Sequence, residues 1–171
     1  MFSRPQVPAA KIIETSAGPD TAEAQFSRGL SFACEGATQD YAQAMLWYRK
    51  AADQSHSLAQ FNLALMYATG QGVPRDTAQS KVWMQRSADL GDAGAQYNVG
   101  MTLHRASLDG LREEAPETRI QAYKWLQLSA AQGYRGSDAA SAFVALSMTW
   151  ADVAEGGRRV AAFVPTQVLQ A

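Results

Sequence analysis

Two asparagines occupy the same place in a repeated sequence pattern and offer the clearest recognition chemistry in the chain. Asn62 and Asn98 each follow an aromatic residue, and Ser27 takes the corresponding position in an earlier copy of the pattern. A primary carboxamide both donates and accepts hydrogen bonds, so asparagines facing a groove can hold an extended peptide backbone without demanding a particular sequence. The alternative is structural, because the same amides can satisfy backbone groups between neighbouring repeats.

Three cationic or titratable side chains are further candidates for binding a partner. Arg28 stands where later copies of the pattern have Leu63 and Val99. Its guanidinium can bind a carboxylate through two parallel hydrogen bonds, or it can simply face water on an uncovered first repeat. His104 and Arg105 come near a predicted helix end, where a cation interacts favourably with the helix dipole. They can also form the polar end of a binding groove.

The chain offers little catalytic or metal-binding chemistry. The two histidines, His56 and His104, lie far apart, Cys34 is the one cysteine, and their spacing matches no zinc site. Gly70-x-Gly72 lacks the preceding strand and the third glycine of a phosphate-binding loop. No serine, histidine and acid share a spacing typical of a catalytic triad. We therefore predict no catalytic residue, no bound metal and no cofactor.

Composition predicts a globular protein without a nucleic-acid or membrane partner. The 171 residues are 47% hydrophobic and 18% charged, and 15 basic against 16 acidic side chains give a net charge of −1. Nonspecific nucleic-acid binding needs concentrated positive charge, and the longest basic run is Arg158-Arg159. No apolar run approaches the roughly 20 residues that span a bilayer, and residues 1–20 lack the apolar core of a secretory signal. With one cysteine, we expect a cytoplasmic protein.

A pattern with tryptophan in a fixed frame repeats about every 35 residues. Each copy begins with glutamine and an aromatic residue, and it ends with Trp47, Trp83 or Trp125 followed four residues later by two small residues. Apolar residues at steps of three and four between these landmarks predict amphipathic helices. We therefore predict an all-α superhelix of antiparallel helix pairs. Its repeats are predicted at residues 22–56, 57–92 and 93–134.

Acidic residues predict where several helices begin. Asp20 with Glu23 three positions later predicts a capping box at the first helix. Asp40 and Asp76 predict the starts of the second and fourth helices.

The remaining segments depart from the repeat. The third repeat has six or seven additional residues between its helices, so residues 109–116 are expected to bulge from one edge. Residues 137–163 lose the tryptophan frame and are predicted to form a C-terminal capping helix pair. Residues 1–19 are predicted to be a flexible lead-in, and residues 164–171 a tail that frays from Pro165.

Small and large residues alternate in a way that predicts the core. Small residues should let the two helices of a pair approach closely, while the tryptophans of the frame fill the gaps between repeats, each burying roughly 150–250 Å². The small residues at equivalent positions are Gly29, Ala64 and Gly100.

The second repeat carries a resemblance to a known family. Residues 60–76 read Gln-Phe-Asn-Leu-x-x-Met-Tyr-x-x-Gly-x-Gly-Val-Pro-x-Asp, and Trp83 and Ala88-Asp89-x-Gly91 follow. This pattern resembles the Sel1-like repeat of the tetratricopeptide-like superfamily, over about residues 22–134. Departures are Arg28, Leu103 in place of the usual tyrosine, and the long third connection. The resemblance implies a right-handed helical solenoid without catalytic chemistry, whose concave groove, lined by the first helix of each repeat, holds a peptide or protein partner.

The favoured function is therefore a non-catalytic scaffold or adaptor that binds a peptide or helix of a partner protein, itself a monomer. The resemblance also implies a role for Asn62 and Asn98, because asparagines of this superfamily often contact ligand peptides. Two alternatives stay open. One is a hydrolase built on the same solenoid. The other is a structural protein that pairs with a second copy through Phe143, Leu146 and Trp150.

Overall fold

A computed structural model describes residues 20–34, 39–109 and 115–166. All regular structure in these ranges is helical, which confirms the all-α prediction. The helices are α1 (Ala22–Ala33), α2 (Tyr41–Asp53), α3 (Ser57–Thr69), α4 (Thr77–Asp89), α5 (Ala93–Asp109), α6 (Ala115–Ala131), α7 (Ser137–Ala145) and α8 (Trp150–Ala161). The predicted lead-in 1–19, and residues 110–114 and 167–171, lie outside the described residues.

The first six helices pack in chain order, each against the next. The pairs α1–α2, α3–α4 and α5–α6 correspond to the three predicted repeats, and their contacts with the following pair build one stack. Such an array buries the apolar face of each pair against its neighbours rather than in a separate core.

The predicted helix starts are confirmed at α2 and α4 but not at α1. Asp40 accepts a hydrogen bond from the backbone N–H of Gln43, and Asp76 accepts from two backbone N–H groups of α4. At α1 the N-cap is Thr21, whose Oγ1 accepts from the N–H of Ala24, so the capping box predicted from Asp20 and Glu23 is wrong.

The two acidic residues of the predicted capping box make other contacts. The Asp20 carbonyl accepts from the side chains of Gln25 and Gln54, and the Glu23 carboxylate lies 3.0 Å from His56 Nε2. His56 Nδ1 accepts from the N–H of Ala59 at the start of α3, which leaves Nε2 as the donor to Glu23. Contacts with the α2–α3 connection therefore outweigh the local capping pattern.

The additional residues of the third repeat lengthen its helices. α5 and α6 each have 17 residues, whereas α3 and α4 each have 13. Asp109, Ala115 and Pro116, which were expected in a bulging connection, are therefore helical. Each added residue inside a helix gains a backbone hydrogen bond, which a loop does not provide.

Close helix contacts at glycine confirm the predicted role of the small residues. A Cβ atom at Gly29 would lie 2.5 Å from Tyr48 Cδ1, and one at Gly100 would lie 2.7 Å from Leu126 Cγ. Trp83 and Trp125 are buried, as predicted, but Trp47 is only half-buried. In the described part of the chain no helix pair precedes the first repeat, so one side of Trp47 lacks the cover that a preceding repeat gives.

Glutamines tie successive repeats together. Gln60 Nε2 donates to the Ala52 carbonyl, and Gln96 Nε2 donates to the Ala88 carbonyl. In the third repeat, Gln132 Nε2 also donates to Gln96 Oε1 at 2.9 Å. These bonds pair polar groups that the stacking would otherwise bury without partners.

The C-terminal helices α7 and α8 both pack against α6. Thr149 and Asp152 form a capping box at α8. Farther along this helix, Arg159 pairs with Glu117 of α6 and with Glu155, and its hydrogen bonds hold the pKa of both carboxyls below their usual values. The cap is thus attached to the array through α6.

The residues that follow α8 run back along the array. The Phe163 ring meets Trp125 edge-on at 5.5 Å, Pro165 packs beside Gly91, and Thr166 Oγ1 donates to the Asp89 carbonyl at 3.2 Å. The prediction that the chain frays from Pro165 is therefore wrong for Pro165 and Thr166. Sequence composition could not show that an edge of the array would receive them.

Candidate functional site

A groove of about 350 Å³ lies where the second and third repeats meet. It is bordered by α3 and α5, the first helices of these repeats, and by α4. Its apolar lining consists of Leu65, Ala68, Met84, Val99 and Leu103. An apolar lining of this kind can receive one or two side chains of a ligand.

Polar side chains complete the lining of this groove. Lys81 and Thr102 are exposed, and Ser80, Gln85 and Asn98 are partly buried. Gln85 Nε2 donates to Asp89 Oδ1 at 2.9 Å, so part of its hydrogen-bonding capacity is already used. Lys81 adds one positive charge at the mouth, which favours a ligand with a carboxylate nearby.

Asn98 is the predicted site residue that lines the groove. Its Nδ2 donates to the Gly94 carbonyl at 2.8 Å, one turn earlier in α5. This bond leaves the carboxamide oxygen as the group that Asn98 can offer to a ligand N–H. Asn62, at the equivalent position of α3, is half-buried and absent from the lining, and its side chain makes no hydrogen bond to a described residue.

His104 and Arg105 do not lie at a helix end, which is a correction. α5 continues to Asp109, so these residues are a full turn from the C-terminus and have no favourable terminal position. His104 is buried under Phe143, whose ring it meets edge-on at 5.7 Å. Arg105 is exposed. The two side chains therefore point in different directions and do not form one polar end of the groove.

Arg28 lies on the first repeat, away from the groove. Its guanidinium is exposed and stacks over the Trp47 ring at 4.9 Å. Lys50 approaches the same ring at 4.3 Å. A cation on an aromatic face explains why a charged residue is tolerated where later repeats have buried Leu63 and Val99.

Most residues of the groove were not predicted from the sequence. Leu65 and Thr102 lie three residues after Asn62 and four after Asn98, and this spacing puts each on the same helix face as its asparagine. That signal was available in the sequence. The contribution of Met84 from α4 was not, because it depends on how the helix pairs are rotated.

Within residues 20–34, 39–109 and 115–166, no three His, Cys, Asp or Glu side chains cluster as metal ligands. The same ranges contain no helix that is both long and apolar enough to cross a membrane.

Comparison with known families gives a match over three segments. The model described as Sel1 repeat matches residues 22–56, 57–92 and 93–134. These bounds coincide with the repeats predicted from the tryptophan frame. No curated protein matches the chain.

Solved structures with similar architecture include two bacterial proteins. One is a protective antigen present in uropathogenic Escherichia coli strains that displays an SLR fold; its TM-score is 0.66 at 24% identity, over 83% of this chain and 29% of the antigen. The other is a Sel1 repeat protein from Oxalobacter formigenes, with a TM-score of 0.58 at 31% identity, over 74% of this chain and 49% of that protein. This chain thus spans less than half the length of either.

Proposed function

Because the chain belongs to the Sel1 repeat family, we propose that it is a non-catalytic scaffold that holds a segment of a partner protein between α3 and α5. Sel1 repeats generally mediate protein–protein interaction, and the observation that carries the proposal is the 350 Å³ groove with apolar walls and polar groups at its mouth. The cytoplasmic location, the monomeric state and the lack of a nucleic-acid partner stay predictions from the sequence.

The groove supports a particular mode of binding. An apolar side chain of the partner enters between Leu65 and Met84, and a neighbouring backbone N–H donates to the Asn98 oxygen. A segment longer than the groove passes Asn62 on α3 and Arg105 on α5, which we keep as flanking contacts. Arg28 and His104 are not part of this proposed site.

A matched pair of substitutions tests the proposal. Leu65 lines the groove and is 37% exposed, whereas Val82 is 45% exposed on α4 and is not in the lining. Both positions accept aspartate without opening the core, but only Leu65→Asp introduces a charge into the groove.

The measurement is affinity capture from the native cell with the unmodified chain, Leu65→Asp and Val82→Asp. We expect partners of the unmodified chain to be retained by Val82→Asp and lost by Leu65→Asp. Identical partner sets for both variants would show that the groove is not the binding site.

Self-association is a second candidate, and one observation favours it. Phe143, Leu146 and Trp150 are 64%, 85% and 91% exposed, so the C-terminal helices present large apolar side chains to water. Monomeric proteins seldom expose contiguous apolar patches of this kind. Light scattering over a range of concentrations checks this candidate. A mass that rises with concentration, and that falls in Leu146→Glu, supports pairing through this surface.

A further inference from the structure

A second cleft, of about 300 Å³, lies at the edge formed by the connections between repeats. Its lining consists of Ser55, Gln60, Arg86, Asp89, Leu90 and Thr166. It shares no lining residue with the groove between α3 and α5. The two surfaces are therefore separate features of the molecule.

Gln60, which lines this cleft, carries an unpaired acceptor. The side chain is buried, with 5% of its surface exposed, and its Nε2 donates to the Ala52 carbonyl at 3.0 Å. Among the described residues, Gln60 Oε1 has no donor. A buried acceptor without a donor is unfavourable, and it gains a hydrogen bond when a ligand supplies an N–H.

The other two repeats show which group is missing. In the first repeat, Gln54 Nε2 donates to Gln25 Oε1 at 2.9 Å, and in the third, Gln132 Nε2 donates to Gln96 Oε1 at 2.9 Å. Gln60 is the counterpart of these two acceptors, but the residue in the donor position of the second repeat is Leu90. Leucine carries no donor. The cleft thus lacks one primary carboxamide that the neighbouring repeats provide.

The backbone at Leu90 has room for the same arrangement as at Gln54. Both residues are the C-cap of their helix, with φ −91° at Gln54 and −81° at Leu90. The absence of a donor therefore comes from the type of side chain and not from a different chain path.

The segment that follows α8 already runs along this edge. Phe163, Pro165 and Thr166 lie against the third repeat and the α4–α5 connection, and Thr166 is itself in the cleft lining. Its Oγ1 donates to the backbone carbonyl of Asp89, the last residue of α4. The edge thus accommodates a chain segment up to the point where the cleft begins.

We propose that this cleft binds an extended peptide segment of a partner protein through a glutamine or asparagine side chain, whose carboxamide N–H donates to Gln60 Oε1. The carboxamide takes the place that Gln54 and Gln132 occupy in the other repeats. Leu90 provides the apolar contact for its methylene groups, and Arg86 and Asp89 lie beside the backbone of the segment. This site is independent of the function proposed for the other groove.

The probe is the blocked pentapeptide acetyl-Ala-Ala-Gln-Ala-Ala-amide, titrated into the ¹⁵N-labelled full chain and followed by NMR. The control peptide carries methionine in place of glutamine, which keeps the length of the side chain but removes the donor. We expect the glutamine peptide to shift the side-chain NH₂ signal of Gln60 and the backbone signal of Leu90. The methionine peptide should leave both in place. Equal shifts with the two peptides would overturn the proposal.

Substitution of Leu90, which stands in the donor position, provides the second comparison. Leu90→Gln restores the donor within the chain, so the pentapeptide should bind at least about tenfold more weakly. Leu90→Met, which adds no donor, should bind as the unmodified chain does. Unchanged affinity in a folded Leu90→Gln chain contradicts the proposal. If the peptide binds only after Gln167→Ala, the chain itself supplies the carboxamide and the assignment to a partner is wrong.

Discussion

Two adjacent glycines in α8 should respond in opposite ways to the same substitution. Gly156 is buried against α6, where an added Cβ would lie 2.6 Å from Tyr123 Cδ1 and 3.2 Å from Tyr123 Cε1. Gly157 has no neighbouring atom within 4 Å of such a Cβ. Both residues lie in the interior of the helix, so alanine improves helix propensity equally at the two positions, by about 1 kcal/mol.

The steric contact at Tyr123 therefore determines the difference between the two variants. Overpacking of this kind typically costs about 1–3 kcal/mol. The ring cannot move away freely, because its hydroxyl accepts a hydrogen bond from Gln127 Nε2 at 3.0 Å. We expect Gly157→Ala to raise the free energy of unfolding by about 0.5–1 kcal/mol. Gly156→Ala should be about 1–3 kcal/mol less stable than Gly157→Ala.

Urea denaturation followed by circular dichroism at equilibrium measures both values. A Tyr123→Ala background provides the control, since it removes the ring and should bring the two alanine variants to similar effects. Equal free energies of unfolding for Gly156→Ala and Gly157→Ala with Tyr123 present would refute the packing argument for α8.

Three further predictions concern the core, the pH dependence and a helix start. Trp83→Ala should lower the free energy of unfolding by about 3–5 kcal/mol, while Trp150→Ala, at a side chain 91% exposed, should change it by less than about 0.5 kcal/mol in the same urea titration. Burial raises the pKa of Tyr48 from 10.0 to about 12, so the unfolded chain loses this proton first and stability falls as pH rises through that range. Between pH 9 and 12, the free energy of unfolding should fall by about 2–3 kcal/mol more in the unmodified chain than in Tyr48→Phe, as measured by denaturation. Thr149→Ala removes the cap of α8 and should cost about 1 kcal/mol, seen as a lower melting temperature.

The repeat architecture could be predicted because its signal is periodic and local. The tryptophan frame and the small residues recur at fixed positions, and each copy predicts the same helix pair. Gly29 and Gly100 show the close approach that their size predicts. The same reasoning placed Asp40 and Asp76 at helix starts, because an N-cap depends on only a few neighbouring residues.

Features set by contacts between distant residues could not be predicted in this way. Thr21 caps α1, while the Asp20 carbonyl and the Glu23 carboxylate have partners in the connection between α2 and α3. His104 looked like a groove residue by its polarity, but α7 covers it with Phe143. The path of Pro165 and Thr166 depends on an edge built by residues far earlier in the chain.

The residues of the candidate site were predicted only in part from the sequence, for a related reason. Asn98 was found from its repeated position, yet its counterpart Asn62 lies outside the groove lining. Asn62 and Asn98 lie on equivalent faces of their helices. The surface that this face meets depends on the preceding helix pair, which is α1–α2 for Asn62 and α3–α4 for Asn98. Leu90 differs in this respect, because it breaks the repeat where Gln54 and Gln132 stand, and this break indicates the second cleft.

The hydrogen bond from Thr166 to the Asp89 carbonyl joins residues 77 positions apart. In a linear array each module touches only its neighbours, so an end module can unfold while the rest stays folded. Here the last helix cannot detach without also releasing the segment that covers Trp125 and Gly91. Unfolding from this end therefore involves the second and third modules together, and amide hydrogen exchange in α8 should follow that of α6 rather than that of a freely fraying terminus.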